Sequence, residues 1–160
     1  LRIKAEIKRY INELGTEGRL ISIQLEELLG NLEQDAALLV KDYSKDYSDE
    51  KVREILASLQ RGDNEEIMDH QQLARLLGYP QSAASEEPLL PRGFRVLHKI
   101  PRLPSSIISN LVERFGNLTN ITIATIEELD DVDGIGEVRA RNIKEGLKRI
   151  QEQVFIDRHI

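Results

Sequence analysis

The sequence predicts an all-α chain: a helical spine followed by a domain of short paired helices. Three observations carry this. Apolar residues recur three and four apart through the first half, the periodicity of a helix with one buried face. Glycines, prolines and capping boxes then punctuate the chain at helix-length intervals. Finally, a tight Gly-Ile-Gly turn at 134–136 stands between two helical runs.

Ile3, Ile7, Tyr10, Ile11 and Leu14 mark one stripe; Ile21, Leu25, Leu28, Leu32, Ala36 and Leu39 mark another. Ile7, Leu14, Ile21 and Leu28 are seven apart, so the phase survives Gly15-Thr16-Glu17-Gly18. Although each glycine costs a helix about 1 kcal/mol, a long helix running through is expected, with a break at Gly15 as the competing reading. Ser48-Asp49-Glu50 opens a helix with Val52, Ile55, Leu56 and Leu59 inward and Gly62 ending it. Asp63 with Glu66 forms a capping box for the next, which ends at Leu77 with Gly78 as its cap. Residues 1–78 are thus a helical spine or bundle. Lys41, Lys45, Glu26 and Glu27 are expected on its solvated face.

From 79 to 93 the texture changes: Pro80, Ser82, Ala83, Ala84, Ser85, Pro88 and Pro91 read as a linker. Residues 94–160 carry the hairpin twice. In the second copy Leu129-Asp130-Asp131-Val132-Asp133-Gly134-Ile135-Gly136-Glu137-Val138-Arg139-Ala140 has the pattern of a helix-hairpin-helix. Gly134 and Gly136 are expected in backbone conformations closed to other residues, with no side chain between main chain and ligand. The amides of the hairpin and of the next helix's first turn then point at a phosphate oxygen, aided by the helix dipole. Ile135 is the apolar plug. Ala140 lets the helices cross closely, and Leu129, Val132, Ile143 and Leu147 face inward.

In the first copy Phe94, Val96, Leu97 and Ile100 lead into Pro101-Arg102-Leu103-Pro104 and then Ile107, Ile108, Leu111, Val112 and Phe115. Pro101 and Pro104 are set opposite Gly134 and Gly136. Proline lacks an N–H, so this copy is expected to pack rather than to bind phosphate. Gly116 caps a helix between the copies, and Thr125-Ile126-Glu127-Glu128 is a capping box.

Charge and composition restrict the function. Net charge is −6, but residues 1–91 hold 11 Lys/Arg against 18 Asp/Glu, and residues 92–160 hold 11 against 10. The hairpin part is near neutral, with Arg139, Arg141, Lys144, Lys148 and Arg149 on one helix. Such a domain is expected to bind DNA weakly and with strong salt dependence, and strong binding needs several copies acting together. With three Phe, four Tyr and no Trp, a stacking platform for single strands is not expected. No base-reading pattern appears, so structure-selective binding is expected. Gly134, Ile135 and Gly136 form the candidate phosphate grip. Arg139, Arg141 and Lys144 are the candidate charged contacts, with Arg102 and Lys99 at the second strand of a duplex.

Catalytic candidates are few. No cysteine is present, so thiolate metal sites and disulfides are excluded. His70, His98 and His159 lack partners at metal-ligand spacing. Asp130, Asp131 and Asp133 read as turn-capping acids, with a monovalent cation conceivable at the carbonyls near Val132 and Gly134. A helix-hairpin-helix glycosylase is weighed on Val154-Phe155-Ile156-Asp157, but Val138 stands where bifunctional members carry lysine and the chain has no helices for a flipped-base pocket. No membrane span or signal pattern is found, and the start at Leu1, already in helical phase, suggests part of a longer protein.

Ile7-Lys8-Arg9-Tyr10-Ile11-Asn12-Glu13-Leu14-Gly15-Thr16-Glu17-Gly18-Arg19-Leu20-Ile21, Ile100-Pro101-Arg102-Leu103-Pro104 and Val132–Arg141 resemble the helical middle and C-terminal helix-hairpin-helix domain of the DisA family. The resemblance runs over all 160 residues. It implies a helical spine and a tandem helix-hairpin-helix domain of the RuvA-domain-2 type. Members of the family are bacterial diadenylate cyclases that condense two ATP into cyclic di-AMP using a divalent metal, Mg or Mn. They assemble as octamers through the cyclase domain, and branched DNA such as a Holliday junction lowers their activity. The cyclase Asp-Gly-Ala and Arg-His-Arg motifs are missing: Asp133-Gly134 is followed by Ile135, and Arg158-His159 by Ile160. The resemblance therefore implies a DNA-binding regulatory part with no catalytic residue of its own, in a cytoplasmic, nucleoid-associated protein of DNA damage and repair. Two alternatives stay open: a free-standing junction-binding protein, and a protein-interaction or oligomerisation module.

Overall fold

The computed structural model describes residues 2–15, 18–61, 70–80 and 89–157. Among these residues all regular structure is helical, as expected: α1 (Arg2–Glu13), α2 (Gly18–Tyr43), α3 (Asp49–Arg61), α4 (His70–Leu76), α5 (Phe94–Leu97), α6 (Ser105–Phe115), α7 (Leu118–Ile123), α8 (Ile126–Asp130) and α9 (Glu137–Asp157). No helix among them is long and apolar enough to cross a membrane.

The continuous spine helix expected across Gly15–Gly18 is broken. α1 ends at Glu13, and Gly15 takes the left-handed φ of 59°. The Gly18 N–H donates to the Gly15 carbonyl at 3.2 Å. α1 and α2 pack together, burying Ile11. A Cβ on Gly18 would collide with the Ile11 carbonyl oxygen. The preserved heptad phase therefore reflects two packed helices rather than one long one, and the glycines permit the turn.

α2, α3 and α4 share a small core of Val40, Val52 and Ile55, flanked by Ala37, Leu56, Leu59, Leu76 and Leu77. α4 ends as expected at Gly78, with φ 89°. The Tyr79 N–H reaches the Ala74 carbonyl and the Gly78 N–H the Arg75 carbonyl, the paired bonds of a Schellman ending. The Asp63–Glu66 capping box and Gly62 lie outside the described residues, as do 81–88 of the linker. Lys41 is not the solvated residue expected: its ammonium pairs with Asp49 at 2.5 Å and stands over the Phe94 ring.

The larger core joins Leu38 of α2 to Phe94, Leu97, Ile100, Ile108, Leu111, Val112, Ile121, Leu129, Val132, Ile135, Ala140, Ile143 and Leu147. The end of the spine and the hairpin region therefore share one hydrophobic interior. Within that region the helix–turn–helix pattern repeats at an offset of 32 residues: α5 begins at Phe94 and α8 at Ile126; α6 begins at Ser105 and α9 at Glu137. This offset corrects the alignment read from the prolines. Arg102, not Pro101, is the counterpart of Gly134, and both take positive φ, 60° and 79°. Pro104 still corresponds to Gly136, and Leu103 to Ile135. An arginine in that conformation is uncommon for a residue with a Cβ, so proline spacing gave the wrong register.

The two copies begin differently. Thr125 caps α8 by itself in a complete capping box with Glu128. Its counterpart Gly93 has no side chain to cap α5. That cap comes from α2, whose buried Asp42 carboxylate accepts from the N–H groups of Gly93 (2.8 Å), Phe94 (2.6 Å) and Arg95 (3.3 Å).

Candidate nucleic-acid interface

The second hairpin is built from the inside outward. Leu129 and Val132 seal the end of α8, Ile135 turns in and is buried, and Ala140 and Ile143 seat α9 beneath them. The Val132 and Ile135 N–H groups close short turns onto the carbonyls of Leu129 and Val132. This packing fixes Gly136 as the residue before α9, where its carbonyl accepts the Ala140 N–H at 3.0 Å. The amides of the first turn that follows have no carbonyl within the helix to bond.

The two glycines serve different purposes, which the sequence pattern did not separate. Gly134 has a φ of 79°, and a Cβ there would stand 2.6 Å from Ile107 Cδ1. Gly136 does not have a positive φ, contrary to expectation, and a Cβ on it would meet nothing within 4 Å. Among the described residues nothing requires a glycine at 136. Its missing side chain instead leaves the start of α9 open to approach from outside.

The first hairpin faces the same opening. Ile100, Pro101, Arg102 and Leu103 line a concavity of about 480 Å³ together with Gly136, Glu137, Val138, Arg139, Asn142 and Ile143. An adjoining hollow is lined by Lys99, Arg102, Asn142, Glu145 and Arg149. Arg102, Lys99 and Arg139 are thus brought to one surface with Gly136. The packing between copies is reciprocal: Gly134 lies against Ile107 of α6, and Gly146 of α9 lies against Ile100. Asn110 of α6 donates to the Asp133 carbonyl at 3.0 Å. Its counterpart Asn142 lies between the two hollows. Asn142 was not singled out from the sequence, and Val138, an apolar side chain 75% exposed at the opening, was weighed only as the position of a glycosylase's lysine. The 32-residue offset, once aligned, points to Asn142 through Asn110.

The other predicted contacts are already engaged. Lys144 caps the end of α7, its ammonium donating to the carbonyls of Thr122 (2.6 Å) and Ala124 (2.7 Å). A cation at a helix C-terminus is favoured by the dipole, so Lys144 ties α9 to α7 and is half-buried in doing so. Arg139 donates to the Gly134 carbonyl. The positive charge at that carbonyl is therefore a guanidinium, and a monovalent cation there would have to displace it. Arg141 pairs with Glu137 at 2.5 Å, and this bond holds its guanidinium above the ordinary arginine value. Among the described residues no cluster of three or more His, Asp or Glu is arranged to hold a metal ion. Asp130, Asp131 and Asp133 are exposed, and His98 sits at the boundary with α2.

Glu137 is the one carboxylate on the first turn of α9 at this opening. Replacing it as Glu137→Gln removes a negative charge from the first turn of α9 and weakens the pair with Arg141. We expect polyanion affinity to rise about threefold to tenfold at low salt, converging with wild type at high salt. A titration of duplex DNA by fluorescence anisotropy checks this, and unchanged affinity at low salt would place the anion elsewhere.

Comparison with known proteins places the chain. Residues 1–86 match the family model described as the DisA bacterial checkpoint controller linker region. The DNA integrity scanning protein DisA of Carboxydothermus hydrogenoformans is 55% identical over 154 residues, covering 96% of this chain and 44% of that relative. DisA proteins of Bacillus thuringiensis (strain Al Hakam) and Bacillus cereus (strain AH187) are each 54% identical over 159 residues, covering 99% of this chain and 44% of theirs. The chain thus spans under half the length of the curated relatives it matches. On the strength of the linker match and of this identity across nearly its whole length, the chain belongs to the DisA family.

Proposed function

We propose that this chain is the DNA-binding, regulatory part of a DisA-type diadenylate cyclase, and that residues 94–160 act as a tandem helix-hairpin-helix domain that grips the phosphate backbone without reading sequence. One observation carries the reading: Gly136 is a glycine that nothing among the described residues requires, placed before a 21-residue helix. An open approach to unpaired amides at a helix N-terminus is an anion site. Arg102, Lys99 and Arg139 share that surface, and the paired hairpins suit two strands across a minor groove.

On this reading the spine, residues 1–78, conveys the state of the hairpins to a cyclase domain outside this chain. There two ATP and a Mg or Mn ion serve the synthesis of cyclic di-AMP, and this chain alone makes none. Branched DNA is the expected ligand. A near-neutral domain holds a single duplex poorly, whereas several domains in an octamer can grip the arms of one junction.

The test is binding of a four-way junction and of a linear duplex of equal length over a salt series. Expected is tighter junction binding that falls as salt rises, with about two to four counterions released per domain. No binding at low salt, either by this chain or by the whole cyclase protein, would leave the hairpins as packing elements and favour the interaction-module alternative.

A further inference from the structure

The opening between the hairpins carries an apolar strip between cations. Pro101 is exposed there, and Leu103 is only half-buried although its counterpart Ile135 lies in the core. Val138 faces the same concavity from the first turn of α9, with 75% of its surface exposed. Arg102 and Lys99 flank the strip from the first hairpin, and Arg139 flanks it from α9. The repeat itself does not ask for an apolar residue at 138. The 32-residue offset sets Ser106 at the same place on α6, equally exposed, so the first turn after a hairpin is built as well with a hydroxyl. Nor does Val138 belong to the core.

We infer that Val138, with Pro101 and Leu103, reads the sugar: the strip packs on deoxyribose in a minor groove and disfavours ribose. The inference rests on the reading of the hairpins as a phosphate grip, and adds to it which nucleic acid is gripped. Two rows of phosphate border a minor groove, and the sugar edges between them in DNA expose C–H bonds and a ring oxygen but no donor. In RNA the same groove displays 2′-hydroxyls. Cations that meet only phosphate hold both nucleic acids alike, so selection between them falls to what lies between the cations. The side chains of Pro101, Leu103 and Val138 offer neither donor nor acceptor. A 2′-hydroxyl pressed against them gives up water and gains no partner. Because the strip stays partly open to solvent, that loss is expected to be about threefold to tenfold in affinity.

The test compares three duplexes of one sequence by anisotropy titration at low salt: DNA, RNA, and RNA with 2′-fluoro in place of every 2′-hydroxyl. The fluoro duplex keeps the A form of RNA, so the pair differs in the hydroxyl and not in groove width. The wild-type chain should bind the fluoro duplex about threefold to tenfold more tightly than RNA, and DNA more tightly than RNA. Val138→Thr keeps the branched shape and supplies a hydroxyl partner, so it should raise RNA affinity and close the gap between RNA and its fluoro form. Ile123→Thr changes an equally exposed side chain, 73%, that does not line the opening, and should leave the gap as in wild type. Circular dichroism confirms that both variants are folded. RNA and fluoro duplexes bound equally by the wild type overturn the inference while leaving the phosphate grip standing. A gap that Val138→Thr does not narrow, or that Ile123→Thr narrows as much, overturns it too. No binding of any duplex, by this chain or by the whole cyclase protein, overturns both the inference and the grip.

Discussion

Gly136→Ser is expected to make the protein slightly more stable and to cost it most of its DNA affinity. The two effects share one cause. Gly136 precedes α9 without a positive φ, and a Cβ there meets nothing within 4 Å, so serine fits. Serine is among the strongest helix N-caps, its hydroxyl accepting from an amide of the first turn, and the exchange from glycine is worth a few tenths of a kcal/mol, ~0.3. That hydroxyl then occupies the amides proposed to take a phosphate, and its bulk holds the backbone away from the anion. A charge-assisted hydrogen bond of this kind is worth roughly 1.5–3 kcal/mol, so affinity should fall about 10-fold to 100-fold. Gly134→Ala should do the reverse. With φ at 79° and Ile107 Cδ1 2.6 Å from the new Cβ, it combines left-handed strain with displacement of a core side chain, a loss of about 2 kcal/mol. DNA binding by the part that remains folded should weaken far less. Thermal melts and anisotropy titrations on both variants separate the roles. Wild-type affinity in Gly136→Ser would remove the amide grip from the proposal.

This contrast also shows where sequence reading stops. The apolar positions of the second hairpin were legible because burial follows spacing: Leu129, Val132, Ile135, Ala140, Ile143 and Leu147 all lie in the core. The Thr125 capping box was legible because its partners are three residues apart. The glycines were legible as a motif but not as separate roles, since φ depends on how the turn closes. The first hairpin's register was obscured because Arg102, not a glycine, takes the left-handed position. Lys144 looked like a free cation because α7's carbonyls reach it from about twenty residues away in sequence. Phase alone could not distinguish one long spine helix from two packed ones. For Lys144 and for Gly134 the deciding contact joins residues distant in the chain.

The largest stability effect is expected from another such contact. Asp42 and Arg92 fasten the spine to the hairpin region from both sides. The Asp42 carboxylate caps α5, which lacks a cap of its own. In return the Arg92 guanidinium donates to the carbonyls of Lys41, Asp42 and Ser44 at 3.3, 3.3 and 2.6 Å, closing the C-terminal end of α2. It also lies 4.7 Å from the centre of the Tyr47 ring. Asp42→Ala leaves buried amides without partners and Arg92 without its counter-charge, at a cost of about 3 kcal/mol. For a chain of this size that is a drop in Tm of roughly 6–12 °C.

The pH dependence gives a second reading of the same group. Burial pushes the Asp42 carboxyl above its ordinary value of 3.8, against the opposing pull of the three amides and of Arg92. The folded state therefore holds this proton more tightly than the unfolded state. The contribution is fully present below 3.8 and is lost as pH rises through the folded value. Asp42→Asn keeps an oxygen for the shorter bonds to Gly93 and Phe94, gives up the 3.3 Å bond to Arg95, and does not titrate. Its destabilisation relative to wild type should therefore be largest at acid pH and shrink as pH rises through that window. Subtracting the two denaturation curves cancels the exposed carboxylates Asp46 and Asp49, whose hydrogen bonds hold them below the ordinary value and which act in the opposite sense. A difference that stays flat with pH would mean that Asp42 folds with its ordinary value, the amides fully offsetting its burial. Loss of stability in Asp42→Ala no greater than at an exposed site would mean that apolar packing such as Leu38 with Phe94, and the Arg92 bonds, hold the spine to the hairpins without the Asp42 cap.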